Sequence, residues 1–283
     1  MNRSRMLIAR RRAFNAVFVA FCGLVTVIAL LALSAILWTL VSKGIGGINP
    51  SVFVLSTPAP GSEGGLANAI VGSIMMCVLA MILATSIGIL AGTWLAEYSG
   101  RSRYGGVVRF LNDVLLSSPS ILVGLFVYEL LVQPFHTFSA FAGAVALAML
   151  AAPVITRTTE DVLRLQPSAL RESGVALGAS FALVVRQILW PSARNGMLTG
   201  VLLAFARVSG ETAPLLFTAL NNQFFSLDPR HPMANLPSVI FQFALSPYDD
   251  WRRLAWVGAL LIAATVLTVT IIARFIARDP RPS

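Results

Sequence analysis

Long apolar runs alternate along this chain with short stretches rich in arginine, glycine and proline. Crossing a bilayer takes about 20 mostly apolar residues. Six runs meet that length: 14–41, 66–96, 112–132, 138–156, 196–219 and 254–277. The pattern predicts an all-α polytopic membrane protein with six transmembrane helices, because a helix satisfies its backbone polar groups internally. The third run holds Pro119 near its start and Gln133 and Pro134 at its end, so Pro119 either breaks it or lies in its first turns. In the second run Ala84, Gly88, Gly92 and Ala96 recur every four residues, a small-residue face for close helix packing.

Composition agrees with this reading. Of 283 residues, 57% are hydrophobic and 12% charged, unlike a soluble globule. Cys22 and Cys77 both lie inside apolar runs, so no disulfide framework or metal-ligand spacing is present. The net charge of +9 flanks the apolar runs and does not form a nucleic-acid face. The opening MNRSRMLIARRR resembles the charged part of a signal peptide. The run after it far exceeds a signal core of about 7–15 residues, so it is expected to remain as the first span.

Basic residues set the orientation. Six spans place both termini on one side, with Arg3, Arg5, Arg10, Arg11, Arg12, Arg101, Arg103, Arg109, Arg157, Arg164, Arg171, Arg186, Arg194, Arg274, Arg278 and Arg281. Only Lys43, Arg230, Arg252 and Arg253 fall on the other side, so both termini are expected in the cytoplasm. The external segments are then 42–65, a turn near 133–137, and 218–253. Within the last, the apolar patch 236–245 is too short to span and predicts a helix on the membrane surface or packed on the bundle. His136 and His231 fall in these loops and read as solvated.

The fifth run, GMLTGVLLAFARVSGETAPLLFTAL, contains Arg207 and, four residues on, Glu211. On one continuous helix the two share a face, about 6 Å apart along the axis. An arginine at bilayer depth costs roughly 2.5–3.5 kcal/mol on insertion scales, a cost accepted where it meets a partner, a cavity or a transport path. A cation at the midplane points to an anionic cargo. A guanidinium fork matches two oxygens of a phosphate. Glu211 offsets the charge in the absence of an anion and keeps binding weak enough for release. A helix-locking ion pair is the competing role. Ser209 and Thr212 are further candidates for the path, although such hydroxyls in membrane helices often bond their own backbone. Arg157, where span four meets the cytoplasm, is a candidate for the exit, or for topology alone. Glu160 and Asp161 beside it are placed for contact with a cytoplasmic partner.

The only lysine, Lys43, precedes Gly44, so the loop G-x-x-x-x-G-K-[ST] is absent and ATP has no such site here. HExxH, CxxC and GxSxG are absent too. The chain is therefore expected to be non-catalytic by itself, with no cofactor or metal of its own. The cytoplasmic segment 157–195 predicts a short helix capped by Ser168, a turn at Gly178 and a second helical run stopping near Pro191. Ala169, Leu170, Ser173, Ala176 and Leu177 would form its weakly apolar face.

Glu172, Gly178 six residues on, then Ile188 and Pro191, resemble the EAA loop of bacterial ABC-importer permeases, Glu-Ala-Ala with Gly and then Ile-x-Leu-Pro at these spacings. Ser173 and Gly174 stand where Ala-Ala is usual, and Trp190 replaces Leu. The stretch ARVSGETAP at 206–214, APVITRTTEDVL at 152–163 and NLPSVIFQFA at 235–244 are similar to the phosphate-specific permeases, most of all their A-type subunit. The likeness covers about residues 66–277. It implies the type I importer permease fold and a membrane subunit of a binding-protein-dependent phosphate importer in the bacterial inner membrane. It implies a homologous permease partner, two copies of a cytoplasmic ATPase that bind ATP and Mg, and an external phosphate-binding protein. Residues 160–195 would be the coupling loop docked on the ATPase, through Glu172, Gly178, Ile188 and Pro191. The division expected is a cytoplasmic segment 1–13, a first helix and external loop 14–65, a permease core 66–277 and a tail 278–283. Open alternatives are an importer of another oxyanion such as sulfate or molybdate, an ATP-independent anion channel or transporter, and a sensory scaffold reporting phosphate status.

Overall fold

The computed structural model describes residues 2–100 and 102–276, all helix and loop with no strand among them. Arg101, Arg278, Arg281 and the expected tail 278–283 lie outside the described residues. Twelve helices are described in chain order: α1 (Asn2–Ile45), α2 (Ser51–Val54), α3 (Ala67–Thr93), α4 (Arg103–Ser117), α5 (Ser120–Val127) and α6 (Ala140–Arg164) come first. They are followed by α7 (Ser168–Ala176), α8 (Phe181–Val184), α9 (Trp190–Val208), α10 (Ala213–Thr218), α11 (Leu236–Ala244) and α12 (Asp249–Ile276). Three π-turns extend them: Trp94–Tyr98 after α3, Tyr128–Val132 after α5 and Val185–Leu189 after α8.

Among the described residues four segments are long and apolar enough to cross a membrane: Arg10–Ile45, Ala67–Tyr98, Ala140–Arg164 and Asp249–Phe275. The other two predicted spans are not single helices. The third is α4 followed by α5 with its π-turn, bent by 108°. Its cause is Pro119, which has no N–H to donate and forces Ser118 into an extended conformation (ψ 136°), ending α4. The fifth is α9, which starts at Trp190 rather than near 196, then a break at residues 209–212, then α10. Arg194, Asn195 and Arg207 make α9 less apolar than the other spans.

The segment 157–195 also departs from expectation. Pro167, not Ser168, occupies the position before α7, and no side chain caps that helix. The helical run does not stop at Pro191. Pro191 sits in the first turn of α9, and the π-turn before it widens the hydrogen-bond ring, with Trp190 N–H donating to Val185 O. A proline is tolerated in a first turn because its missing donor has no partner there.

The core is built on α3 against α6. Their facing surfaces are mainly alanine and glycine: Ala80, Ala84, Gly88 and Gly92 on α3, Ala144, Ala148 and Ala151 on α6. The small-residue face does bring the backbones close. A Cβ on Gly88 would fall 2.7 Å from Ile155 Cβ, and one on Gly92 2.5 Å from Thr156 O. Lipid tails are as apolar as leucine, so such packing, not hydrophobic exclusion, holds these helices together. Helix α9 packs on a neighbouring face of α6, with Gly196 against Val162 and Gly200 against Thr158, and also touches α3. The two short segments after the breaks meet each other, Gly124 of α5 pressing on Pro214 of α10. The patch 236–245 is the packed helix α11, seated on α12 with Phe243 stacked on Trp251 at 4.4 Å. The long helix α1 packs only on α12, near its own C-terminal end, where Gly44 meets Leu260 and Gly47 meets Val257.

Candidate functional site

Two regions carry the candidate residues: the break between α9 and α10, and the end of the bundle that carries α7. At the break, Arg207 is in the last turn of α9, where a cation complements the partial negative charge of the exposed carbonyls. The helix ends at Val208, and Ser209 and Gly210 turn the chain. Glu211 is thus in the linker and not one helical turn above Arg207, which corrects the shared-face geometry expected from their spacing. No ion pair joins the two. Neither side chain has a hydrogen-bond partner within the described residues, Arg207 is exposed, and Glu211 is half-buried. The helix-locking role therefore has no contact among the described residues to support it. Ser209 Oγ donates to Phe205 O at 2.8 Å, the backbone bond expected of such a hydroxyl. Thr212 is half-buried beside the start of α10. Behind Ser209 lies a cavity of about 390 Å³ lined by Ile70, Cys77, Phe205 and Leu261 among others. Its walls are nearly all apolar, so it offers an oxyanion little to bind.

In the second region, α7 presents Glu172 outward, together with Val175 and Leu177, which is 87% exposed. Gly178 ends the helix with φ +81°, the left-handed conformation that suits glycine. Ile188 lies half-buried in the π-turn and Pro191 is exposed at the start of α9. Of the weakly apolar face expected for α7, only Leu170 is turned inward; Ala169, Ser173, Ala176 and Leu177 are exposed. Two of the three departures from the EAA pattern, Gly174 and Trp190, have a physical reason. A Cβ on Gly174 would meet Val184 Cγ2 at 2.7 Å and Ile188 Cδ1 at 3.1 Å, so alanine would not fit without movement. Trp190 donates its indole N–H to Thr93 Oγ1 at 3.1 Å, a bond leucine lacks, and so joins α9 to α3.

Glu160 is not available to a cytoplasmic partner, contrary to expectation. Its side chain is 2% exposed and bonds Arg109 Nε and Arg164 Nη2, each at 2.7 Å. Arg109 also donates to Leu95 O and Ser99 Oγ. Asp161, beside it, is half-exposed and pairs with Arg157 at 3.3 Å. That pair leaves Arg157 near the end of α6 with about half of its side chain accessible.

Two residues here were not singled out by sequence: Glu97 and its partner Arg171. Arg171 Nε and Nη2 reach the two Glu97 oxygens at 2.8 and 2.6 Å. The remaining donors go to Gln166 O and Leu163 O at the end of α6, both at 2.8 Å. The hydrogen bond to Glu97 raises the guanidinium pKa above its ordinary value. An acid just beyond an apolar run, at the end of the second span, was the available signal.

Known proteins offer a comparison for this arrangement. Residues 88–282 match the family model described as binding-protein-dependent transport system inner membrane component. The chain is 50% identical over 264 residues to the phosphate transport system permease protein PstA of Haemophilus influenzae, covering 93% of this chain and 94% of that protein. It is 51% identical to the protein of the same name from Pasteurella multocida, with the same coverage. Among solved structures it resembles a chain of the inward-facing MetNI methionine ABC transporter, with a TM-score of 0.63 at 20% identity, covering 74% of this chain and 93% of that one. That last likeness is one of fold.

Proposed function

Because the chain belongs to the family of binding-protein-dependent transport system inner membrane components, we propose that it is the permease subunit through which an ATP-driven importer passes inorganic phosphate. The observation that carries the cargo is the identity of about half of all residues, along 93% of the chain, with proteins named for phosphate transport. The chain is a multi-pass membrane subunit with a permease fold. It works with a permease, an ATPase and a binding protein as partners.

The finer reading concerns how these residues act. A homologous permease completes the path, and two copies of a separate ATPase bind ATP and Mg on the cytoplasmic side. Both termini face the cytoplasm, a placement supported by the excess of arginines on that side. The ATPase docks on α7, where Glu172 and Leu177 are exposed and Gly178 fixes the turn. Ile188 and Pro191 set where α8 and its π-turn hand over to α9. Arg207 offers its fork to two phosphate oxygens. It is suited to this because no protein acceptor occupies it among the described residues. Glu211 moderates the affinity and accepts a hydrogen bond from protonated phosphate, which sulfate lacks. Ser209 and Thr212 border the same helix end, and Arg157 stands at the cytoplasmic exit.

The test is labelled phosphate uptake in cells lacking the chain, complemented at matched membrane expression. Wild type restores uptake, Arg207→Gln abolishes it, Arg207→Lys restores part, and Glu211→Gln narrows the preference for phosphate over sulfate. Full uptake with Arg207→Gln would remove Arg207 from the path. Wild type restoring sulfate or molybdate uptake but not phosphate would overturn the cargo.

A further inference from the structure

The coupling helix α7 is attached to the rest of the molecule in two ways. Its apolar contact is chiefly with α8 and the π-turn that leads into α9, Gly174 resting on Val184 and Ile188. The three-residue linker 165–167 ties it to α6, and its polar attachment to the end of α3 runs through the Arg171 side chain. One guanidinium holds both Glu97 oxygens and, on its remaining donors, two carbonyls at the C-terminal end of α6. The side chain of Glu97 is 2% exposed, and the residue stands in the π-turn Trp94–Tyr98 that ends α3. A bidentate pair of this kind fixes direction as well as distance, because the planar fork resists rotation.

We propose that the Glu97–Arg171 pair is the link that carries movement of α7 into α3, one of the two helices at the centre of the core. The proposal rests on the importer function inferred above. The second charge cluster supports it. Arg109, Glu160 and Arg164 bind α4 to the same π-turn and to α6, so the cytoplasmic ends of α3, α4 and α6 form one connected body. Arg171 is the side chain by which α7 joins that body. With the pair broken, α7 would still pull α9 through α8 and α6 through the short linker, while α3 would follow only loosely. ATP would be hydrolysed without the full opening and closing of the path. Arg171 and Glu97 are positioning residues and touch neither phosphate nor ATP.

The experiment uses the complete importer, with both permeases, the ATPase and the binding protein, in liposomes. Arg171→Lys keeps the charge but loses the fork, and Glu97→Gln keeps the shape but loses the charge. The readout is phosphate accumulated per ATP hydrolysed. The expected result is an assembled complex with ATP hydrolysis retained and a ratio lowered roughly 3- to 30-fold, the range of single-residue effects on coupling. An unchanged ratio in both variants overturns the proposal. So does a parallel loss of both rates at constant ratio. Failure of both variants to assemble would assign the pair to assembly and overturn it equally. If wild type hydrolyses ATP but accumulates no phosphate, the cargo assignment fails instead. The link is then read from ATP-dependent labelling of a cysteine at Leu90→Cys on α3, expected in the wild-type background and lost with Arg171→Lys. Labelling that responds to ATP equally in both would overturn the link.

Discussion

Arg109 Nε stands 2.7 Å from Glu160 Oε1, although the two residues are 51 positions apart in the chain. The carboxylate is shielded from solvent and shared with Arg164. Its neighbour Asp161 has only the half-exposed Arg157. Two adjacent acids therefore differ in what they hold.

Glu160→Ala is expected to lower the thermal midpoint of the purified complex well beyond Asp161→Ala. Removing one partner of a buried pair costs about 3–5 kcal/mol, and the partial exposure of Arg109 and Arg164 reduces this to about 2–3 kcal/mol. An exposed i,i+4 pair such as Arg157–Asp161 contributes about 0.3–0.5 kcal/mol. Equal midpoints for the two variants would show that Glu160 is not the keystone of its cluster.

Gly92→Ala and Gly106→Ala should part company. A methyl on Gly92 would press on Thr156 O and Thr159, where backbone must move; overpacking of this kind costs about 1–3 kcal/mol. Gly106 on α4 has open space around its Cβ position. There alanine gains up to about 1 kcal/mol of helix propensity. Loss of assembled complex with Gly92→Ala and none with Gly106→Ala is the expected pattern, read by size-exclusion chromatography in detergent.

Gly178 offers a case in which strain and crowding separate. Nothing lies near its Cβ position, yet its φ is +81°. Gly178→Ala is expected to cost about 1–2 kcal/mol through backbone conformation alone. Gly178→Asn costs less, since asparagine visits this region more readily. The order glycine, asparagine, alanine in ATP-driven uptake would check it; alanine equal to glycine would refute it.

The spans were legible because apolar length is written directly in the sequence, and the same holds for α11 as a short packed helix. The broken spans were legible only in part. Pro119 announced a break but not a bend of 108°. At residues 209–212 the polar stretch SGET, with Gly210 in it and Pro214 after it, marked the interruption, but the apolar residues on both sides made the whole read as one span. The π-turns have no local signature, because they arise where packing shifts a hydrogen-bond register. Arg207 and Glu211 were found from their charge in an apolar run, but the helix end between them was not. Glu97 and Glu160 escaped because a buried acid is defined by partners far along the chain, and the sequence around Glu160 looks no different from that around Asp161.

Helix α6 meets α3, α4, α5, α9 and α10 at once, and much of its buried surface is alanine. In genetic terms this is a surface with little room for drift. A single base change in an alanine codon mostly yields valine, threonine, proline or an acid, each larger or harder to bury than a methyl group. Glycine and serine fit, but both weaken a helix. Random mutation across this gene is thus expected to be lost most often in α6. The exposed apolar faces of α1 and α12 can exchange one large hydrophobic residue for another.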